Sequence, residues 1–495
     1  MHMINIPQVK LAVVAVSRDC FPISLSHRRR QAVVAACQKA GLNVVEIETI
    51  IENENDTMKA YAEVQASGAN ALFVYLGNFG PEGPETLLAE KFGGPVMFAA
   101  AAEEDIPVLK TDRGDALCGM LNASYNLKLR GVQAYIPEYP VGTADEITEM
   151  VADFIPVARA LIGVKKLKVI TFGPRPYDFL ACNAPIAPLF KLGVNVQENS
   201  ELDLYESFLK HADDARIPEV VADMSAELGD GNKMAGILPR LAQLEITLLD
   251  WAEANKGAAE YIVFANKCWP TFQTMFGCVP CYVNSRLTAR GIPVACEVDI
   301  YGALSEFIGT CVTGAPVTLL DINNSVPADL YKAEIQGKAP YTQQDVFMGF
   351  HCGNTPICRL RKGEMKYQLI MHRGLEPDKE PDITRGTLEG DIIPGDITFF
   401  RLQGNKDSRL VSYVAEGEVL PAESHSFGGI GVIGIPEMRR FYRHVLIEDG
   451  YPHHGAVAFG KAGKALFSVM KLLGVEKVSF NQPKGCYYPS ENPFA

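Results

Sequence analysis

The chain has 495 residues, 47% hydrophobic and 21% charged, with a formal net charge of −13. That length exceeds what one hydrophobic core usually holds, so two or three domains are expected. The acidic balance argues against nucleic acid or an anionic membrane as a partner, because both require a basic face. No uninterrupted apolar run approaches the roughly 20 residues a membrane-spanning helix needs, and the N-terminus shows no signal-peptide pattern, so a cytoplasmic protein is expected. Met1-His2-Met3 reads as a cloning remnant. The 12 cysteines fall mostly in apolar runs, as reduced thiols do. Cys278-Val-Pro-Cys281 is a lone CxxC without a second pair at zinc spacing, which favours a structural role over redox or metal chemistry.

Taken in chain order, the first third alternates strand and helix. Leu11–Val16, Val44–Glu48, Ala71–Tyr75 and Val96–Ala100 read as strands, separated by helical patterns such as Arg28–Ala40 and Thr57–Ser67. A helix near Ala144–Leu161 follows. A second cycle opens with the strand Lys168–Phe172 and continues through a helix within Met234–Asn255 and a strand at Tyr261–Ala265. Such alternation predicts parallel sheets flanked by helices. Beyond Asp321 the helical period fades, and short β-type runs take over at Tyr367–Met371, Ile397–Leu402 and Arg409–Glu416. The segment from Gly386 to Thr398 reads as tight turns between antiparallel strands. The predicted fold class is therefore α/β: two doubly wound parallel-sheet domains, residues 1–164 and 165–316, then an antiparallel, barrel-like β-rich domain, residues 317–495.

Neither half carries a GxGxxG or a P-loop after a strand, so nucleotide binding is unsupported. The loops Ser17-Arg18-Asp19 and Gly173-Pro174-Arg175-Pro176 each carry a single arginine, placed for a surface or interdomain ion pair or for a substrate.

The stretch from Gly291 to Asn324 holds the candidate chemistry. An apolar run, Ile292 to Cys296, ends on Glu297; a helical pattern follows until Gly314 and Pro316 stop it; a second run, Val317 to Leu320, ends on Asp321. Two carboxylates thus leave two buried strands, and burying them near one another calls for a cation, a shared proton, or both. The bland alternative makes Glu297 a helix cap and Asp321 the start of a turn with Asn323 and Asn324. Further on, Gly349-Phe350-His351-Cys352-Gly353 and Tyr451-Pro452-His453-His454-Gly455 set histidines beside glycine in loop-like sequence. Either could be an ordinary loop histidine. Two acids with an imidazole form a mixed oxygen and nitrogen set that suits Mn²⁺ or a related divalent ion better than an all-oxygen calcium cage. Adjacent His453 and His454 cannot easily both face one metal, so one ligand and one substrate contact are expected.

The chain resembles the L-fucose and L-arabinose isomerase superfamily of metal-dependent aldose–ketose isomerases. The resemblance rests on Cys296-Glu297-Val298-Asp299 with Asp321, on Lys267-Cys268-Trp269-Pro270 with Gln273, on the Gly386 to Thr398 turn pattern, and on the paired His453-His454. It implies Glu297 and Asp321 as acid/base pair and metal ligands, His454 as the histidine ligand, and His351 as a further ligand used in the arabinose branch. Substrate contacts are expected from side-chain chemistry: Trp269 against an apolar sugar face, unless it is a core aromatic, and Gln273, Asn324, Arg18 and Arg175 on hydroxyls or an anionic group, with His453 beside them. The resemblance further implies Mn²⁺ as cofactor, a free or modified sugar as substrate with an anionic sulfosugar as the nearby alternative, and a homo-oligomer, hexamer or trimer. A non-catalytic sugar-binding or regulatory protein is the reading from a different class. It leaves the long β-rich third unexplained.

Overall fold

The computed structural model describes residues 3–492 and Phe494; Met1 and His2 of the N-terminal tripeptide lie outside the described residues. The chain forms two compact units. One comprises Pro7–Ile162; the other runs from Gly163 onward and includes the N-terminal segment up to Ile6.

In the first unit five strands, β1 (Leu11–Val16), β2 (Val44–Glu46), β3 (Ala71–Leu76), β4 (Val96–Ala101) and β5 (Val141–Gly142), form one parallel sheet in the order β2-β1-β3-β4-β5. Strands β1, β3 and β4 are buried along their whole length, which explains their unbroken apolar sequences: helices cover both faces of a parallel sheet. The covering helices are α1 (Ile23–Lys39), α2 (Glu54–Ser67), α3 (Glu82–Phe92), α4 (Ala116–Leu129) and α5 (Ala144–Lys165). Helix α2 shows how local signals set its ends. The Asn53 side chain accepts the N–H groups of Asn55 and Asp56 at its start, and Gly68 adopts the left-handed conformation at its end.

The second unit begins with a parallel sheet of β6 (Leu167–Phe172), β7 (Asn195–Asn199), β8 (Tyr261–Ala265) and β9 (Val294–Ala295), ordered β7-β6-β8-β9. Helices α6 (Ala187–Leu192), α7 (Glu201–Lys210), α8 (Ile217–Leu228), α9 (Leu238–Asn255), α10 (Phe272–Phe276) and α11 (Cys281–Ala289) connect its strands, and α12 (Ile300–Thr313) leaves β9. Asn5 pins the N-terminal segment here, donating to the carbonyls of Ile262 and Gly291 at 2.8 and 2.7 Å.

The same unit carries a nine-stranded sheet of β10 (Thr318–Ser325), β11 (Val346–His351), β12 (Glu364–Tyr367), β13 (Arg385–Asp391), β14 (Gly395–Gly404), β15 (Leu410–Val419), β16 (Gly429–Gly434), β17 (His454–Phe459) and β18 (Lys477–Phe480). A pairing of β15 with β16 closes six of these strands, β16-β11-β10-β17-β14-β15, into a ring. Strands β13 and β18 attach to it in parallel, and every other pairing in this sheet is antiparallel. Phe347, Phe399, Tyr413, Ile433 and Val457 fill its core, continuous with Phe172 and Phe264 of the four-stranded sheet.

The expected fold class holds, and three local expectations do not. Of the run Tyr367–Met371 only Tyr367 is in a strand: it pairs with Arg385 after a register shift and ends β12, and Leu369–Leu375 coils into a helix. The Gly386 to Thr398 segment is not a hairpin, because β13 pairs with β12 and β16 while β14 pairs with β15 and β17. Asp321 does not leave a strand end; it lies in the middle of β10.

Candidate active site

Glu297 sits in the short turn between β9 and α12. Both Glu297 and Val298 have φ of +59°, a left-handed conformation costly for side chains with a Cβ and tolerated where surrounding structure enforces it. The enforcement is visible: the Val298 N–H donates to the Asn266 carbonyl at 2.9 Å, and Asp299 caps α12 by accepting the Gly302 N–H at 2.9 Å. Asp299, not Glu297, is therefore the helix cap, and the Glu297 carboxylate is free to face elsewhere.

The barrel wall supplies the partners. Asp321 on β10 is the direct antiparallel partner of His454, the first residue of β17, and Phe350, next to His351, faces Asp321 from β11. Both histidines are thus buried at strand ends rather than in loops, at 4% and 1% exposure. Gly455 is what lets β17 approach: a Cβ there would lie 2.3 Å from the Phe399 ring.

All four groups converge. His454 Nε2 lies 3.0 Å from Glu297 Oε2 and 3.3 Å from Asp321 Oδ1, while its Nδ1 lies 2.8 Å from Asp299 Oδ2. One ligand atom each from Asp321, His351 and His454 lies within 4.8 Å of the others, as do those of Cys182, Glu297 and His454. With Nδ1 donating to Asp299, the Nε2 lone pair of a neutral His454 points at two carboxylates. Nε2 and Asp321 Oδ1 are both buried without a hydrogen-bond partner. That arrangement is unfavourable unless a proton or a cation sits between them. The protein environment favours positive charge there. Burial would lower the basicity of His454, but the Asp299 carboxylate on Nδ1 and the Asp321 and Glu297 carboxylates beside Nε2 push it well above the usual range. Burial likewise would raise the carboxyls of Glu297 and Asp321, and His454 outweighs it in both, holding them below their ordinary values. Asp321 Oδ1 and His454 Nε2, both unpartnered, with Glu297 Oε2 3.0 Å from Nε2, make a mixed oxygen and nitrogen set of the kind that fits a divalent ion of the Mn²⁺ type.

His351 differs. Its Nδ1 accepts the Cys352 N–H at 2.9 Å, which puts the proton of the neutral ring on Nε2, while the residue stands in one close group with Asp321 and His454. Burial holds it neutral, pulling it below the usual histidine range.

The other expected residues separate. His453 is half-buried with Nε2 3.9 Å from Asp321 Oδ1, and Phe179 packs edge-on to it at 5.4 Å. Trp269 stands beside this group, its ring 5.7 Å from Tyr177 and 6.2 Å from Phe179. Arg175 belongs to the same loop; its Nε is buried without a partner, and among the described residues no carboxylate pairs with it. Gln273 and Asn324 are not placed as expected. Gln273 is fully buried and donates to Gln368 Oε1 at 3.2 Å, within a cluster that also holds Cys268 and Cys281. Asn324 lies on the exposed end of β10, roughly 10 Å along the strand from Asp321, and donates to Asn323. Arg18 lies in the first unit, 3.8 Å from Glu82 and over the Phe79 ring.

Sequence reasoning missed Asp299, Arg401, Cys182, Tyr177 and Phe179 as parts of this neighbourhood. One signal was available: Arg401 interrupts the apolar strand run Ile397–Leu402, and a cation there needs a buried anion.

Residues 12–165 match the family model described as fucose/sulfoquinovose isomerase, N-terminal domain, and residues 349–480 match that of the L-fucose isomerase C-terminal domain. The second match contains His351 and His454; Glu297 and Asp321 lie between the two. Similar proteins include a sulfoquinovose isomerase of Clostridium sp. (strain MSTE9), 23% identical over 74% of this chain and 76% of its own. Those of Alkalicoccus urumqiensis and Priestia megaterium (strain ATCC 12872 / QMB1551) are 25% and 22% identical, each over 68% of this chain and 70% of their own. These matches place the chain among the aldose–ketose isomerases. The chain belongs to the L-fucose isomerase-like family.

Proposed function

We propose that the protein interconverts an aldose and a ketose of an anionic sulfosugar, sulfoquinovose, with Mn²⁺ or a similar divalent ion held by Glu297, Asp321 and His454. The observation that carries this reading is the convergence of those three side chains on His454 Nε2. When bound, the ion supplies Lewis-acid stabilisation of the negative charge that develops on the sugar's C1 and C2 oxygens.

The chain's own groups do the rest. The reaction moves a proton between neighbouring carbons whose hydrogens are barely acidic, so a base must stand within hydrogen-bonding reach. Glu297 and Asp321, both held below their ordinary range, are ionised at neutral pH and suited to accept protons. One exchanges the carbon-bound proton between C2 and C1 while the other exchanges a hydroxyl proton. His351, neutral with its proton on Nε2, serves as a hydrogen-bond donor to the site rather than as a metal ligand. His453, Trp269 and Phe179 form an aromatic wall against an apolar sugar face and keep water out. The names of the relatives support the sulfonate, and Arg175, half-buried without a carboxylate partner, is the cation proposed to receive it.

The test is a panel of sulfoquinovose, glucose, L-fucose and L-arabinose followed by NMR, with EDTA and with Mn²⁺ restored. Conversion of sulfoquinovose that stops with EDTA and returns with Mn²⁺ is expected. Turnover that ignores EDTA removes the metal, and preference for a neutral sugar removes the sulfonate.

A further inference from the structure

Behind His454 lies a fully buried carboxylate whose hydrogen bonding is complete. Each oxygen of Asp299 accepts two donors. Oδ1 takes the Gly302 N–H at 2.9 Å and Arg401 Nη2 at 2.9 Å; Oδ2 takes Arg401 Nη1 at 2.7 Å and His454 Nδ1 at 2.8 Å. Arg401 is fixed in turn, donating from Nε to Gln403 Oε1 at 2.8 Å. Asp299, Arg401 and His454 are each about 1% exposed. The fold makes room for this carboxylate, since a Cβ on Gly302 would stand 2.5 Å from Asp299 Oδ2.

Resting on the divalent-ion reading above, we infer that Asp299, clamped by Arg401, is a positioning residue that sets the ring orientation and tautomer of His454, so that the Nε2 lone pair faces the ion. The reason is geometric. An imidazole on a strand end has two ring flips and two tautomers, and only an acceptor at Nδ1 selects the one that leaves Nε2 bare. Asp299 can be that acceptor only while its own charge and direction are held, which is what the two-pronged guanidinium does. Asparagine has nearly the same shape but cannot substitute. In either orientation its NH₂ group would meet two donors: His454 Nδ1–H and Arg401 Nη1, or the Gly302 N–H and Arg401 Nη2.

The rival is a buried ion pair that merely stabilises the barrel. The two are separated by Mn²⁺ affinity, read from the loss of the free-ion EPR signal on titrating metal-stripped protein, in four proteins: wild type, Asp299→Asn, His454→Ala and the double variant. Unfolding in EDTA is recorded alongside. Outer partners of metal-bound histidines typically contribute about 10- to 100-fold in affinity. Asp299→Asn is expected to weaken Mn²⁺ by that factor in the wild-type background and by less than about threefold once His454 is gone, because the effect travels through the imidazole. An equal loss in both backgrounds, or none in either, overturns the inference while leaving the metal site standing. A wild type that binds no divalent ion removes the metal reading first, and the inference with it. Should Asp299→Asn not fold, Arg401→Lys keeps the buried charge but not the two-pronged grip, and it is held to the same standard of a several-fold loss that vanishes without His454.

Discussion

Glu85 in the first unit and Asp299 in the second are both fully buried acids, and they are in opposite states. Glu85, in the first turn of α3, has neither oxygen partnered; burial, with Glu82 nearby, pushes its carboxyl well above the usual range, so it is kept as a neutral acid. Asp299 meets the same penalty, but Arg401 and His454 outweigh it and hold its carboxyl well below that range. Burial therefore does not decide the charge of an acid in this protein. The partners do, and the site is not the sole place that supplies them: Glu245, also about 1% exposed, is held by Arg286 at 2.7 Å.

The comparison can be broken most forcefully at Glu297, whose charge depends on His454. Glu297→Gln keeps the shape and removes the base, and should lower kcat by roughly 10³-fold, general acid–base groups typically giving 10²–10⁴. Retention of even a tenth of the activity in an NMR time course would place the proton transfer elsewhere. The next largest effect is on stability. Asp299→Ala leaves Arg401 buried without its anion and should cost about 3–5 kcal/mol in denaturant unfolding, as broken buried pairs do.

Neutral acids should behave in the opposite way. Glu306 on α12 is buried with Oε2 unpartnered, and burial, with Asp299 nearby, pushes it up to about 8. Between its ordinary 4.5 and about 8 the folded chain holds a proton that the unfolded chain has lost, so stability falls as pH rises through that window. Glu306→Gln should remove this slope and be more stable than the wild type by an amount that grows from pH 5 to pH 8, reaching on the order of 4 kcal/mol. Glu85→Gln should show the same sign. A flat difference between variant and parent would mean these acids are ionised in the fold. Smallest of all, Asn324→Ala, on the exposed end of β10, should change kcat/KM by less than about twofold, as surface positions do.

How much of this could be read in advance differs by residue. Glu297 and Asp321 stand out in the sequence because a carboxylate directly after an apolar run is costly, and the pair His453-His454 because histidines beside glycine have no amphipathic face to serve; the choice of His454 within the pair rests on the family resemblance. The class of fold follows from the change in period at Asp321. What the spacing does not carry is direction. Gln273 lies on the short helix α10, whose buried face is turned to Gln368, and Asn324 lies past a register shift in β10. Nor does local sequence report Asp299 with Arg401, a contact spanning 102 residues whose meaning appears only when β14 is laid beside β17.

The pairing of Asp321 with His454 across β10 and β17 has a consequence for how this enzyme can change. Side chains alternate along a strand, so inserting one residue before either position would swing it to the other side of the wall and dismantle the centre in a single step. Lengthening the loop that carries Arg175, Tyr177 and Phe179 leaves that pairing untouched. On the proposed function, a change of sugar is therefore expected from that loop, while β10 and β17 admit no change of length before Asp321 or His454.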